Sequence, residues 1–374
     1  MKYYIIAGEA SGDLYGSKLI KEILKIDTNA EIMAWGGDLM KKEGATLVRH
    51  YKNHNYMGFL EVILNLKTIL KNIKFCKSDI ENFKPDALIL IDFPGFNMRI
   101  AKYFYKSSFP VMYYIAPQVW AWKENRVEAI KKYVDELYVI LPFEKAFFKK
   151  HGIQAKYFGH PLLEHVLNFQ NKSASKKTDF FEKYNLDKNK NITSLIPGSR
   201  RQEIIKKLPI MLKSACSYNN DNVVIAAMNN FKTLYQELTT DYNVKVIYDD
   251  TYNLLNNSKV ALVTSGTATL ETAFFQVPQV VCYKSSWISY LIAKSFIKVK
   301  YISLVNLILN KKIVKELIQS DLNIEILSNE LCNLDDMSYS NNIKKQYTDL
   351  LEMCSGINVS KNIAISMLKT IETF

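Results

Sequence analysis

The strongest constraint on this chain is a rhythm: short, continuous apolar runs recur from end to end, separated by amphipathic stretches. Over the first 160 residues the runs are "YYIIA", "EIMAW", "DALILID", "VMYYIA", "ELYVIL" and "AKYFG". A polar stretch, "LNFQNKSASKKTDF", interrupts them, and "ITSLIPG", "NVVIAAM", "VKVIYD", "VALVTSG" and "QVVCYK" resume the pattern. Strands apolar along their whole length are buried on both faces, and helices between them make the sheet parallel. Two such series with a polar joint predict an α/β chain of two doubly wound, Rossmann-like domains. The expected boundaries are 1–170, a linker at 171–177, a second domain at 178–320 and a helical tail at 321–374, with the strands ending by Lys315. A length of 374 residues agrees, being too great for one ordinary core.

The net charge of +12 suits an anionic partner such as anionic lipid, a phosphorylated substrate or nucleic acid, or simply a lysine-rich surface. No nucleic-acid recognition motif accompanies it. The cysteines, Cys76, Cys216, Cys282, Cys332 and Cys354, are far apart, which argues against a zinc site or a disulfide framework and for a reducing compartment. The chain enters a strand at once and has no apolar run of spanning length. Neither a signal peptide nor a transmembrane helix is expected, so a cytoplasmic protein able to touch a membrane surface is predicted.

Ligands of open parallel sheets sit beyond the carboxyl ends of the strands, so the residues after each run carry the candidate chemistry. The first such loop, "GEASGD", lacks both the glycine spacing of a dinucleotide fingerprint and a P-loop lysine. Gly8 and Gly12 can bring the loop close to a ligand, and Glu9, Ser11 and Asp13 can orient sugar hydroxyls or cap the first helix. Asp92 ends the strand of "LILIDFPGFNMRI", where Pro94 and Gly95 stop it. It is either a general base facing a cleft or a turn aspartate, and Asn97 can supply the helix cap instead. In "APQVWAWKENRV", Trp120 and Trp122 line a sugar or lipid site or pack in the core, with Gln118 and Arg126 as polar neighbours. His160, in "FGHP", either reaches a ligand or packs at the domain joint.

Two turns in the second series suit phosphate. In "LIPGSRRQEI", Gly198 allows close approach, Ser199 can cap the next helix and Arg200 offers a bidentate donor. In "VTSGTATLETAF", Ser265, Gly266, Thr267 and Thr269 present hydroxyls and N–H groups at a helix start, and Glu271 can accept from ribose hydroxyls. Separately, "NYMGFLEVILNLKTILKNIKF" plots as a helix with Phe59, Val62, Ile63, Leu66, Ile69, Leu70 and Ile73 on one wide face. Leu60 and Leu64 extend it toward Lys67, Lys71 and Lys74, while Glu61, Asn65, Thr68 and Asn72 lie opposite the core. This is either an interfacial membrane helix or a core helix with snorkelling lysines.

Taken in order, "GEASGD", "GG" before Met40, "MGFLEV", "IDFPGFN", "APQVWAW", "LPFE", "FGHP", "PGSRRQE" and "SGTATLE" resemble the lipid-A-disaccharide synthase family, from the first strand to about Gln319. The resemblance implies a GT-B architecture whose two Rossmann-like domains face a cleft. It implies UDP-2,3-diacylglucosamine as donor, 2,3-diacylglucosamine 1-phosphate (lipid X) as acceptor, and inverting transfer without a metal or other cofactor. By the same resemblance Asp92 is the base, Arg200 and the helix after Ser265 stabilise the leaving diphosphate, and Glu271 holds the ribose. Asn306 and Gln319 match polar positions near the donor. The implied partners are the two lipid substrates, the cytoplasmic face of the inner membrane and, as the family can dimerise, a second copy of the chain. The tail pairs with that copy or folds back on the first domain. The chain departs from the family at Gly95, where a second acid is common, at Val305 and at Lys315. Two other readings stay open, a UDP-sugar 2-epimerase on the same fold and a non-enzymatic binder.

Overall fold

The computed structural model describes residues 1–53, 65–121, 126–173, 179–218, 221–286, 290 and 299–374. The chain divides into two compact units, Met1–Pro161 with Gly356–Phe374, and Leu162–Ser355. In the first unit seven strands pair in parallel: β1 (Lys2–Ala7), β2 (Glu31–Gly36), β3 (Thr46–His50), β4 (Ala87–Ile91), β5 (Val111–Tyr114), β6 (Glu136–Val139) and β7 (Lys156–Tyr157). Their order is β3-β2-β1-β4-β5-β6-β7, so the winding reverses between β1 and β4, where Ala7 lies opposite Ile91. Tyr4, Ile6, Leu88 and Leu90 are sealed in this sheet, as a strand covered by helices on both faces requires. The edge strand β3 breaks the apolar pattern: "TLVRH" has only partial burial, which is why the rhythm of apolar runs passes over it.

The second unit repeats the plan with β8 (Ile192–Ile196), β9 (Asn222–Ala227), β10 (Lys245–Tyr248), β11 (Val260–Thr264), β12 (Gln279–Tyr283) and β13 (Lys315–Ile318). The order β10-β9-β8-β11-β12-β13 reverses between β8 and β11, with Ile196 opposite Val263. The expectation that strands end by Lys315 is corrected here. "KELI" is an edge strand paired to β12, and two charged residues in four hide it from a hydrophobic reading.

The tail is three helices with different destinations. Ile324–Asp335 and Met337–Cys354 belong to the second unit, and their starts are set by Asn323 and Asp336, whose side chains accept from the N–H groups of Ile326 (3.0 Å) and Tyr339 (2.7 Å). The last helix, Val359–Thr373, returns to the first unit and packs on the helix Ala10–Ile26. It buries Val359, Ile363, Ala364 and Met367, and its Ser366 hydroxyl accepts from Tyr138 and from Lys156, each at 3.2 Å.

The lysine-flanked segment is described as the helix Leu66–Phe83; Phe59, Leu60 and Leu64 lie outside the described residues. Its buried side is centred on Ile73, Cys76 and Ile80 and includes Asn72, which corrects the placement of Asn72 opposite the core. Leu66 and Leu70 turn away from that side and are 46% and 53% exposed, alongside exposed Lys67, Lys71 and Lys74.

Candidate functional site

The carboxyl end of the first sheet gathers acids at its point of reversal. Asp92 follows β4 and therefore sits beside the loop after β1. Its φ of 46° and that of Phe93, 50°, are left-handed, a conformation that non-glycine residues hold only under tertiary constraint. The constraint is visible: the Asp92 carbonyl accepts from Asn97 Nδ2 at 2.8 Å and from the Tyr113 hydroxyl at 2.6 Å. The Phe93 ring lies so close over Gly8 that a Cβ there would fall 2.3 Å from it, so only glycine fits. The same ring stacks on Phe96, with centroids 5.2 Å apart. Burial, and after it the charge of the nearby Glu9 carboxylate, together lift the Asp92 carboxyl to about 7. A third acid, Glu144, follows β6. It accepts from the N–H groups of Ile140 (3.2 Å) and Leu141 (2.9 Å) and from Trp120 Nε1 (3.0 Å). Burial pushes it to about 7 as well, and the charge of Asp92 adds to the rise. Carboxyls placed like Asp92 and Glu144 can give or take a proton near neutral pH.

In the second unit two turns meet at the corresponding point, because β8 and β11 are neighbours. The turn after β8 carries Gly198 at φ 116°, then exposed Ser199 and Arg200, and the helix Arg201–Tyr218 follows. The turn after β11 carries half-buried Ser265 and exposed Gly266 and Thr267, and leads into the helix Thr267–Phe274. Ser265 Oγ donates to the Ile302 carbonyl at 2.9 Å and so fixes this turn to the chain before the helix Leu304–Leu309. Two helix amino ends and a guanidinium thus lie at neighbouring strand ends, a combination of donors and positive charge that suits an anion. One turn along, Glu271 accepts from the Tyr252 hydroxyl at 2.8 Å, and burial raises its pKa.

The runs that carry these two edges decide the relationship. A sequence model of the lipid-A-disaccharide synthetase family matches residues 3–367. The chain belongs to the lipid-A-disaccharide synthase family. A Syntrophus aciditrophicus lipid-A-disaccharide synthase is 36% identical over 336 residues, 87% of this chain and 86% of that protein. Lipid-A-disaccharide synthase 1 of Legionella pneumophila is 33% identical over 361 residues, 94% of this chain and 93% of that protein. The fold is GT-B. A solved UDP-GlcNAc 2-epimerase from Neisseria meningitidis bound to UDP-GlcNAc superposes with a TM-score of 0.63 at 13% identity, covering both chains fully. The glycotransferase of kitacinnamycin superposes with a TM-score of 0.65 at 11% identity, covering 99% of each chain.

Within this family framework the side chains sort differently from their motifs. Asp13 is buried, and its carboxylate accepts from the N–H groups of Gly37 (2.8 Å), Leu39 (3.1 Å) and Met40 (3.0 Å). It therefore satisfies the amino end of the helix Asp38–Lys42 rather than that of the first helix, and half-buried Glu9 and Ser11 are the other polar side chains of the opening loop. Gly12 packs so closely on Ala7 that a Cβ there would fall 3.0 Å from the Ala7 side chain. Asn97 lies inside its helix, whose cap position is Phe93. Its amide instead staples the Ile6, Ile91 and Asp92 carbonyls. Gln118 is exposed, while Trp120 is half-buried against Phe143 and Glu144; Trp122 lies outside the described residues. His160 is sealed, and burial drops it to about 3, so it stays neutral in the way a packing histidine does.

In the second unit, Ser199 stands two residues before its helix and Arg200 occupies the cap position. Thr269 is fully buried and donates to the Gly266 carbonyl at 2.8 Å, so it shapes the turn from inside. Asn306 is also fully buried. Its amide donates to the Val314 carbonyl and to Glu316, and its oxygen accepts from the N–H groups of Ile313 and Val314. Gln319, at φ 57°, accepts from the Ser285 N–H at 2.7 Å. The hydrogen bonds of these three residues brace the surrounding turns. Sequence reasoning missed Glu144, Glu316 and Lys207. "LPFE" flags the first, but the others sit inside ordinary-looking segments. Among the described residues no group of three or more His, Cys, Asp or Glu forms a metal-ligand set.

Proposed function

We propose that the protein is an inverting glycosyltransferase joining UDP-2,3-diacylglucosamine to 2,3-diacylglucosamine 1-phosphate, with release of UDP and the β-1′,6-linked disaccharide 1-phosphate. Family membership supports this reading, and the observation that carries it is Asp92, a carboxyl raised to about 7 at the reversal point of the first sheet. A carboxylate with that basicity can take the proton of the acceptor 6-hydroxyl as the oxygen attacks the donor anomeric carbon from the face opposite the diphosphate. Glu9 beside it keeps the base strong. As the anomeric bond to the diphosphate breaks, charge accumulates on the leaving UDP. Arg200 and the helix starts after Gly198 and Ser265 answer that charge, and Glu271 holds the ribose.

Both substrates carry acyl chains, and the helix Leu66–Phe83 supports a docking role. Leu66, Leu70 and Phe75 are exposed beside Lys67, Lys71 and Lys74, a combination suited to an anionic leaflet. Among the described residues no helix is long and apolar enough to cross a membrane. The reading is therefore of a peripheral enzyme on the cytoplasmic face of the inner membrane.

The deciding experiment supplies both lipids and follows UDP release and product mass. UDP release that depends on lipid X, with the disaccharide as product, supports transfer. Isomerisation of the donor without acceptor overturns it in favour of a 2-epimerase.

A further inference from the structure

Lys207 is a lysine in an unusual place. It lies on the helix Arg201–Tyr218, and its side chain is only 2% exposed. Its ammonium group donates to Thr264 Oγ1, the last residue of β11, and stands 3.9 Å from Glu203 Oε2. Glu203 in turn lies 3.7 Å from Arg200 Nη1 through its other oxygen. The Glu203 carboxylate packs on the turn after β8 so closely that a Cβ on Gly198 would fall 2.2 Å from Oε2. A row of groups, Arg200, Glu203, Lys207 and Thr264, thus runs beneath one turn and reaches the strand end that leads into the other.

This row has an electrostatic consequence. A carboxylate held against a turn built for an anion repels that anion. Arg200 alone would merely cancel Glu203. With Lys207 the three side chains sum to one positive charge. A buried lysine is costly unless partnered, and desolvation does lower its pKa; Glu203 opposes that effect, with Cys282 and Arg200 as the other groups in play. Cys282, held up at about 12, stays neutral and leaves Glu203 as the counter-charge.

We infer that Lys207 is a positioning and charge-balancing residue for the diphosphate, tying the turn after β8 to the turn after β11 and neutralising Glu203 beneath them. The inference rests on the reading of these turns as the UDP site. It goes beyond that reading by assigning a role to a buried group that touches no ligand.

The test measures UDP and uridine binding by calorimetry to the wild-type protein and to K207M, E203Q and the double variant. Methionine matches the lysine stem, and the Glu203 carboxylate left behind is partly exposed and keeps Arg200 at 3.7 Å, so the fold should hold. K207M should weaken UDP about tenfold, or 1.4 kcal/mol, and leave uridine unchanged. The double variant should regain near-wild-type UDP affinity, because removing Glu203's charge removes the need for its counter-charge. E203Q alone should bind UDP at least as tightly as wild type, an arm that reads out even if K207M folds poorly. Unchanged UDP affinity in K207M, a loss that E203Q does not rescue, or weaker UDP binding in E203Q alone would overturn the role of Lys207 while leaving the UDP site standing. Failure of the wild-type protein to bind UDP would overturn both.

Discussion

Replacing Asp92 by Asn separates function from stability in a way the structure makes quantitative. The side chain keeps its shape, and the contacts that hold the left-handed backbone run through the main chain of residue 92, so they survive. Activity should fall on the order of a hundred- to ten-thousandfold, the usual contribution of a positioned base, with UDP affinity nearly intact. Stability should move the other way. The carboxyl rises from an ordinary 3.8 to about 7 in the folded protein, so the folded state holds a proton that the unfolded state gives up. Stability contributed by this group is therefore present below pH 3.8 and lost as pH climbs through about 7. At 1.36 kcal/mol per pH unit the rise corresponds to about 4 kcal/mol, an upper bound because the group is only partly buried. Asn avoids that loss. Denaturant melts from pH 4 to 9 should find the variant equal to wild type at the acid end and more stable above pH 7. Steady-state assays over the same range should show wild-type kcat/KM rising as Asp92 ionises, and Glu9→Gln should shift that rise to lower pH. Near-normal turnover of Asp92→Asn, or melts that run parallel to wild type at every pH, would refute the reasoning.

Arg200→Ala should raise the donor KM and lower kcat, with a total loss of about 2–4 kcal/mol in transition-state stabilisation, measured by steady-state kinetics. Leu66→Ser with Leu70→Ser should weaken binding to anionic vesicles severalfold in a flotation assay with melting temperature nearly unchanged, since both side chains are already exposed. Equal vesicle binding would remove that helix from membrane docking. Asn306→Ala should cost about 2–4 kcal/mol in denaturant unfolding, because it orphans the Ile313 and Val314 N–H groups and removes the part-buried Glu316 contact. A variant of normal stability that had lost only UDP affinity would show instead that Asn306 touches the donor.

Much was legible in the chain itself. Apolar runs such as "DALILID" and "VALVTSG" could only be buried parallel strands, so two doubly wound units followed from period and length. Residues after those strands had to carry the chemistry, which singled out Asp92, Gly198, Arg200 and Ser265. The edge strands β3 and β13 escaped because edges tolerate polar residues, and the hydrophobic signal of a strand is a signal of its burial. Side-chain roles escaped for a related reason. Asp13, Thr269 and Asn306 are polar residues in motif positions, and nothing local distinguishes a hydroxyl or amide that meets a ligand from one that braces a turn.

Only the tertiary structure decided which strand ends are neighbours. Crossovers bring β4 beside β1 and β11 beside β8, so Asp92 meets Glu9 across 83 positions of chain and the Gly198 turn meets the Ser265 turn across 67. The raised Asp92 carboxyl and the contact of Lys207 with Thr264 are products of that adjacency. Local sequence determines what each strand end offers; strand order and burial, which are long-range properties, determine what it is offered to.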